Sequence, residues 1–261
     1  MTIGCVSSNS VTIRTVSPGS WVSIENNDLA LRCWWSASGA SPCDIELISC
    51  IKRVFIVLPE VFGLNAWVRS VADRLAAHGT AALAMPLFAR SAPDLDLGYK
   101  ASDLAQGRRH KNATTTLQIL SDLSVVITWL KHRCPKAAID VVGFCFGGHA
   151  ALLAATLPEV RRSFDFYGAG VSTMRPGGGP PSLELLPQVS GELNCICGTA
   201  DSLIPADHRF AIRDALQALD PNGERLRYLE MPDADHGFMC EDRSSFNPEA
   251  SARGWTLLLE T

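Results

Sequence analysis

The stretch Gly143-Phe144-Cys145-Phe146-Gly147-Gly148 surrounds a thiol with residues that let backbones crowd. The apolar run 137–142 before it reads as a buried strand, and the small-residue run 146–157 after it as a helix. A side chain at such a strand-to-helix turn stands above the sheet, and glycines two positions before and after it give the turn room. The helix behind it aims free N–H groups and its positive end at the sulfur. That favours an ionised sulfur and a developing oxyanion. The implied chemistry is covalent acyl transfer, in which cysteine needs less help to ionise than serine. A plainer explanation is a phosphate loop or simple close packing, but G-x-G-x-x-G fails because Phe, Cys and Phe follow Gly143.

A nucleophile on such an elbow needs an acid and then a histidine downstream. The segment CICGTADSLIP sets Asp201 just past a buried strand, and YLEMPDADHGF sets His236 past the next. Catalytic groups of open α/β sheets lie at that carboxyl edge. Asp201 would orient the imidazole and stabilise its charged form. Competing residues fit less well. His78 ends an amphipathic helix, His110 and His132 sit in polar, basic surroundings, and His149 and His208 lie inside helices. Asp207 begins a helix, and Asp235 is adjacent to His236, so their side chains diverge on an extended chain.

Strands and helices must alternate to place these groups. WVSIE (21–25) and LALRCWW (29–35) flank a turn-type spacer and predict an antiparallel hairpin. VFIVL (54–58), TAALAM (80–85), AAIDVV (137–142), SFDFYG (163–168), LNCICG (193–198) and RLRYLEM (225–231) read as strands. Helices are expected over 65–79, 115–133, 146–157, 206–219 and 247–260. In the second of these, Leu117, Leu120, Leu123, Ile127 and Leu130 stand near helical spacing. Residues 90–112 are polar and read as an irregular loop or cap, and RPGGGPP (175–181) as a surface loop. Repeated βα units predict an α/β fold: a mostly parallel twisted sheet with helices on both faces. Residues 1–20 are expected to be an extended arm, and 21–261 a single domain.

Composition narrows the partners. Of 261 residues, 47% are hydrophobic and 19% charged, with net charge −4, so no basic field is available for nucleic acid or an anionic membrane. A small-molecule partner is favoured. No apolar run reaches the length of a membrane-spanning helix, and the first residues lack a basic head and apolar core, so a cytoplasmic location is expected. The nine cysteines lack C-x-x-C pairs, and neither a metal nor an organic cofactor is expected. Most cysteines should be buried thiols.

Five segments taken together, LPEVFGLNAWVRSVADRLAAHGTAALAMPLFAR (58–90), VVGFCFGG (141–148), YGAG (167–170), GTADSLIP (198–205) and DADHGF (233–238), resemble the dienelactone hydrolase family of α/β-hydrolases. The resemblance spans about residues 20–260. It implies an α/β-hydrolase fold and a triad of Cys145, Asp201 and His236. It also gives a role to Glu60, which would assist deprotonation of the thiol when substrate binds. Read alone, a Glu at the end of an apolar strand is costly to bury unpaired and could simply face solvent. The resemblance implies an oxyanion hole from the backbone N–H groups of Val61 and Phe146. Arg90 matches a family arginine, with two readings open: a hold on a substrate carboxylate or a structural role. The position four after the histidine is Cys240, where a substrate-binding arginine can occur, and Arg108, Arg109 and Arg243 are near only in sequence. The expected substrate is an ester or lactone. Thiolate leaves more readily than alkoxide, so an enol-lactone, whose enolate departs easily, suits a cysteine nucleophile better than an aliphatic ester. The alternatives are a Cys-dependent acyltransferase and a non-catalytic binding protein on this scaffold.

Overall fold

Short apolar runs between amphipathic helices bury each central strand on both faces. A computed structural model describes residues 19–26, 29–37 and 50–260. The strands are β1 (Ser20–Asn26), β2 (Leu29–Ala37), β3 (Arg53–Leu58), β4 (Ala81–Ala84), β5 (Ala138–Phe144), β6 (Val160–Phe166), β7 (Glu192–Gly198) and β8 (Leu226–Met231). They form one sheet in the order β1-β2-β4-β3-β5-β6-β7-β8. From β4 to β8 all neighbours are parallel, while β1 and β2 form the antiparallel hairpin and β2 runs antiparallel to β4. This is the α/β-hydrolase architecture expected above. All but the last two residues of the expected N-terminal arm lie outside the described residues.

The helices are α1 (Ala66–Ala77), α2 (Ala101–Ala113), α3 (Thr116–Arg133), α4 (Phe146–Ala154), α5 (Ala206–Leu219) and α6 (Pro248–Leu259), with a 3-10 turn at Ser182–Gln188. Three start on side-chain caps: Asn65 accepts from the Val68 N–H, Thr115 from that of Gln118 and Asn247 from that of Ala250. Alternate residues of β3 face opposite cores. Phe55 and Val57 pack with Trp67, Val71 and Trp255, whereas Val54, Ile56 and Leu58 pack with Leu123, Ile127 and Leu130 of α3. Opposite the elbow end of β5, Arg53, Arg161 and Arg162 converge on the fully buried carboxylate of Asp140. Among the described residues, no single helix is long and apolar enough to cross a membrane.

Two expectations are corrected. Residues 101–113 are a helix rather than an irregular segment. The α2 side chains carry no apolar stripe, and Gly107 is its one buried residue, so hydrophobic period is silent there. Its helical signals are polar: Asp103 accepts the Lys100 N–H at 3.1 Å, and His110 and Lys111 occupy the last turn. Leu117 leaves the apolar face of α3 and is 81% exposed; Ile119, Val126 and Asp122 are buried there instead.

Candidate active site

The elbow is built as its glycines require. Cys145 sits at φ 56° and ψ −117°, a conformation costing on the order of 1–3 kcal/mol in a non-glycine residue. A β-carbon on Gly143 would lie 1.8 Å from the Gly147 carbonyl oxygen, and one on Gly147 would lie 2.3 Å from that of Leu58. Any larger residue at either position would push the turn open. The Cys145 N–H donates to the Phe166 carbonyl of β6 at 3.0 Å, and its own carbonyl accepts from the His149 N–H at 3.1 Å. The sulfur is left half-buried at the head of α4.

Asp201 follows β7, and its carboxylate is fixed by the Leu203 N–H at 2.8 Å. Its other oxygen lies 2.8 Å from Nδ1 of His236, which follows β8. A carboxylate only accepts, so Nδ1 carries the proton. Among the described residues Nε2 has no partner at ordinary hydrogen-bond distance, while Cys145 acts on the imidazole through its charge. Burial alone would lower the His236 imidazole, but Cys145 and Asp201 outweigh it and hold the pKa up at about 10. Of the six histidines, only His236 lines the cavity described below.

Glu60 follows β3 and is fully buried. One carboxylate oxygen accepts from Arg243 Nη1 at 2.6 Å, and the other has no partner among the described residues. Burial pushes its carboxyl pKa up; the charges of Arg243 and His236 and the Arg243 hydrogen bond pull the other way. Tyr167, with φ 44° and no exposure, packs its ring edge-on to His236 at 5.1 Å.

Cys145 and His236 open into a cavity of about 320 Å³ also lined by Val61, Phe146, Met174 and Leu203. Val61 and Phe146, the positions expected to supply oxyanion donors, line the same cavity as the sulfur, one from the turn after β3 and the other from the head of α4. Three cations face the cavity as well: Arg108 and Lys111 from α2, and Arg243. Gly107 allows this, since a β-carbon there would meet the Val61 carbonyl oxygen at 2.2 Å. Arg90 lies apart from the residues that line this cavity, and its guanidinium grips both carboxylate oxygens of buried Asp122 on α3, one at 2.8 Å. Cys240 is buried and bonded to the Tyr99 hydroxyl at 3.1 Å. Sequence reasoning left Arg108 and Arg243 unplaced and passed over Lys111. The basic end of a helix at the cavity rim was the available signal for Arg108 and Lys111. Among the described residues, no group of three or more His, Cys, Asp or Glu is arranged to hold a metal ion.

Beneath the elbow lies Asp165 of β6, 2% exposed, crowded by Gly148 and Gly168. Burial pushes its carboxyl from 3.8 up to about 7, partly offset by bonds from the Gly168 N–H and the Cys195 thiol. The unfolded chain releases this proton near 3.8 while the folded chain keeps it to about 7. Stability is therefore fullest below the lower value and falls as pH rises through that window, by roughly 4 kcal/mol in all. Asp165→Asn should remove that loss. Its thermal midpoint, relative to the natural chain, is expected to be higher at about pH 8 than at about pH 5. An offset equal at both pH values would show that Asp165 does not titrate in this window.

The sequence model of the Dienelactone hydrolase family matches residues 49–261. A relative from Synechocystis sp. is 36% identical over 204 residues, covering 77% of this chain and 82% of its own. A carboxymethylenebutenolidase of Pseudomonas putida is 27% identical over 206 residues, covering 76% of this chain and 80% of its own. Among solved structures, one from Klebsiella pneumoniae superposes with a TM-score of 0.79 at 23% identity, covering 92% of this chain and 96% of the other. A dienelactone hydrolase-like promiscuous phosphotriesterase from metagenomic libraries gives 0.69 at 21% identity, with 92% and 95% covered. The last two are likenesses of fold.

Proposed function

Because the chain belongs to the dienelactone hydrolase family, and is thereby a hydrolase of ester or lactone bonds in small molecules, we propose that it opens an enol-lactone or cleaves an activated ester through Cys145. The observation that carries this reading is the half-buried Cys145 sulfur at a strained elbow, sharing one cavity with an imidazole already oriented by Asp201.

The sulfur attacks the carbonyl carbon, and the negative charge that develops on oxygen is met by the N–H groups of Val61 and Phe146. The carbon–oxygen bond breaks, the His236 imidazolium gives its proton to the departing enolate or activated alkoxide, and an acyl-cysteine is left. The neutral imidazole then takes a proton from water as the water attacks the thioester, and the thiolate leaves with the acid as product. Glu60, its free oxygen buried behind the site, supplies the basic group that assists thiol deprotonation when Arg243 is drawn toward a bound anion. Arg108, Lys111 and Arg243 favour a substrate that carries a negative charge beside its reacting carbonyl.

A panel of neutral and carboxylate-bearing enol-lactones and activated esters, quenched early and read by mass spectrometry, tests this. The expected result is an acyl adduct on Cys145, formed at lower concentration with the anionic members. An adduct on Cys240, or hydrolysis with no adduct under any quench, would sink the mechanism.

A further inference from the structure

His149 lies in the second turn of α4 and has no exposure. A buried imidazole must satisfy both nitrogens. Nδ1 is 3.1 Å from the Ala169 carbonyl, which can only accept, so Nδ1 carries the hydrogen. Nε2 is then an acceptor, and the Ser182 hydroxyl donates to it at 2.7 Å, closer than the Met174 carbonyl at 3.4 Å. Burial pushes the His149 pKa down to about 4, partly opposed by the bond to Ala169, so the neutral tautomer persists at ordinary pH.

The two partners are the two ends of one loop. Residues 169–182 leave the sheet after β6 and return into the 3-10 turn. Between them the loop is closed on itself: the Met174 N–H donates to the Gly170 carbonyl at 2.9 Å and the Ser182 N–H to the Met174 carbonyl at 3.1 Å. Ala169, Gly170 and Met174 form part of the cavity wall. The same histidine bonds through its backbone to Cys145. An ordinary core histidine would bond wherever acceptors fell. This one joins the turn carrying the sulfur to both feet of the wall facing it.

We propose that His149 is a positioning residue that fixes the 169–182 wall against the elbow, so that Met174 limits the length of acyl chain the cavity accepts. The proposal rests on the cavity being the substrate site. It concerns which substrates fit rather than how the bond breaks.

Kinetics on p-nitrophenyl acetate and octanoate separate the possibilities. His149→Leu, which fills the space and makes neither bond, is expected to change KM for octanoate about tenfold, the effect of losing a buried hydrogen bond or two. Its kcat for acetate should stay within about twofold of the natural chain. His149→Asn, which restores a donor near Nδ1, should recover part of the KM change. Met174→Ala should shift the octanoate-to-acetate ratio in the natural chain and much less in His149→Leu, because both act through one wall. Should His149→Leu fail to fold, Ser182→Ala carries the test with the same split at about a third of the size. Unchanged constants for both esters, an equal loss of kcat on both, or strictly additive effects of His149→Leu and Met174→Ala would each overturn the proposal. Failure of the natural chain to acylate Cys145 would instead overturn the functional reading, so the two failures are distinct.

Discussion

Cys145→Ala is expected to lower kcat on any activated ester or lactone by at least about four orders of magnitude while the chain still folds. Alanine keeps the β-carbon, so the strained φ of 56° is no worse than before, and only the sulfur is lost. The loss has a second, independent signature. Burial lowers the His236 imidazole, and it is the sulfur's charge, with Asp201, that reverses this and holds it up at about 10. Without the sulfur, burial is opposed by Asp201 alone, so the imidazole should titrate at lower pH. The raised folded pKa contributes stability that is fully present below the imidazole's usual range and lost as pH rises through about 10. The variant should therefore lose less stability than the natural chain as pH climbs through that region. Steady-state kinetics and nitrogen NMR of the histidine side chains read the two effects. Turnover within tenfold of the natural chain, or an unmoved His236 titration, would contradict the pairing of sulfur and imidazole.

The parts legible in the sequence are those imposed by the backbone. Gly143 and Gly147 are required by contacts at 1.8 and 2.3 Å that no β-carbon survives, so their spacing reveals the elbow without any knowledge of what surrounds it. Asp201 and His236 follow from the rule that functional groups gather past the carboxyl ends of parallel strands, and the structure sets them 2.8 Å apart. Glu60 is legible as an anomaly, an acid ending a strand that is otherwise apolar. What stayed hidden depends on chain paths that hydrophobic period does not report. The helix α2 has no apolar stripe because it caps the cavity by close backbone approach at Gly107, so Arg108 and Lys111 could not be aimed from sequence. Arg243 reaches Glu60 only because successive turns fold the chain back after His236, with the Cys240 N–H donating to Gly237 and the Arg243 N–H to Cys240. The pairing of Arg90 with a buried carboxylate was hidden for the same reason, because it depends on how α3 packs against the loop after β4.

Arg243→Ala is expected to be the most destabilising single change around the site, by about 3–5 kcal/mol, because it leaves a buried carboxylate without its counter-charge. Glu60 has no exposed surface, and Arg243 Nη1 at 2.6 Å is the one hydrogen-bonded partner of its carboxylate within the described residues. Such a loss is a large share of the stability of a typical domain. The sign of its pH dependence follows from the same pair. Burial already pushes the Glu60 carboxyl up, and Arg243 is the larger of the charges pulling it down. With Arg243 gone, Glu60 keeps its proton to higher pH in the folded chain, while the unfolded chain still ionises in the ordinary carboxylate range. The deficit should then be small at acid pH and grow as pH rises above the ordinary carboxylate range. Glu60→Gln alone should cost less, because the Arg243 side chain is 21% exposed and its charge can regain water. The double variant Glu60→Gln/Arg243→Ala should recover most of what Arg243→Ala loses, since no charge remains to be buried alone. Urea unfolding of the four chains at about pH 5 and about pH 8 measures each of these differences. A deficit in Arg243→Ala that is the same at both pH values, or that Glu60→Gln does not relieve, would mean that Arg243 matters for its packing against Phe62 and Tyr99, whose rings lie 5.9 and 6.0 Å from its guanidinium carbon, and that Glu60 is neutral already. In that case Glu60 could not act as the base that readies Cys145, and thiol activation would fall to His236 alone.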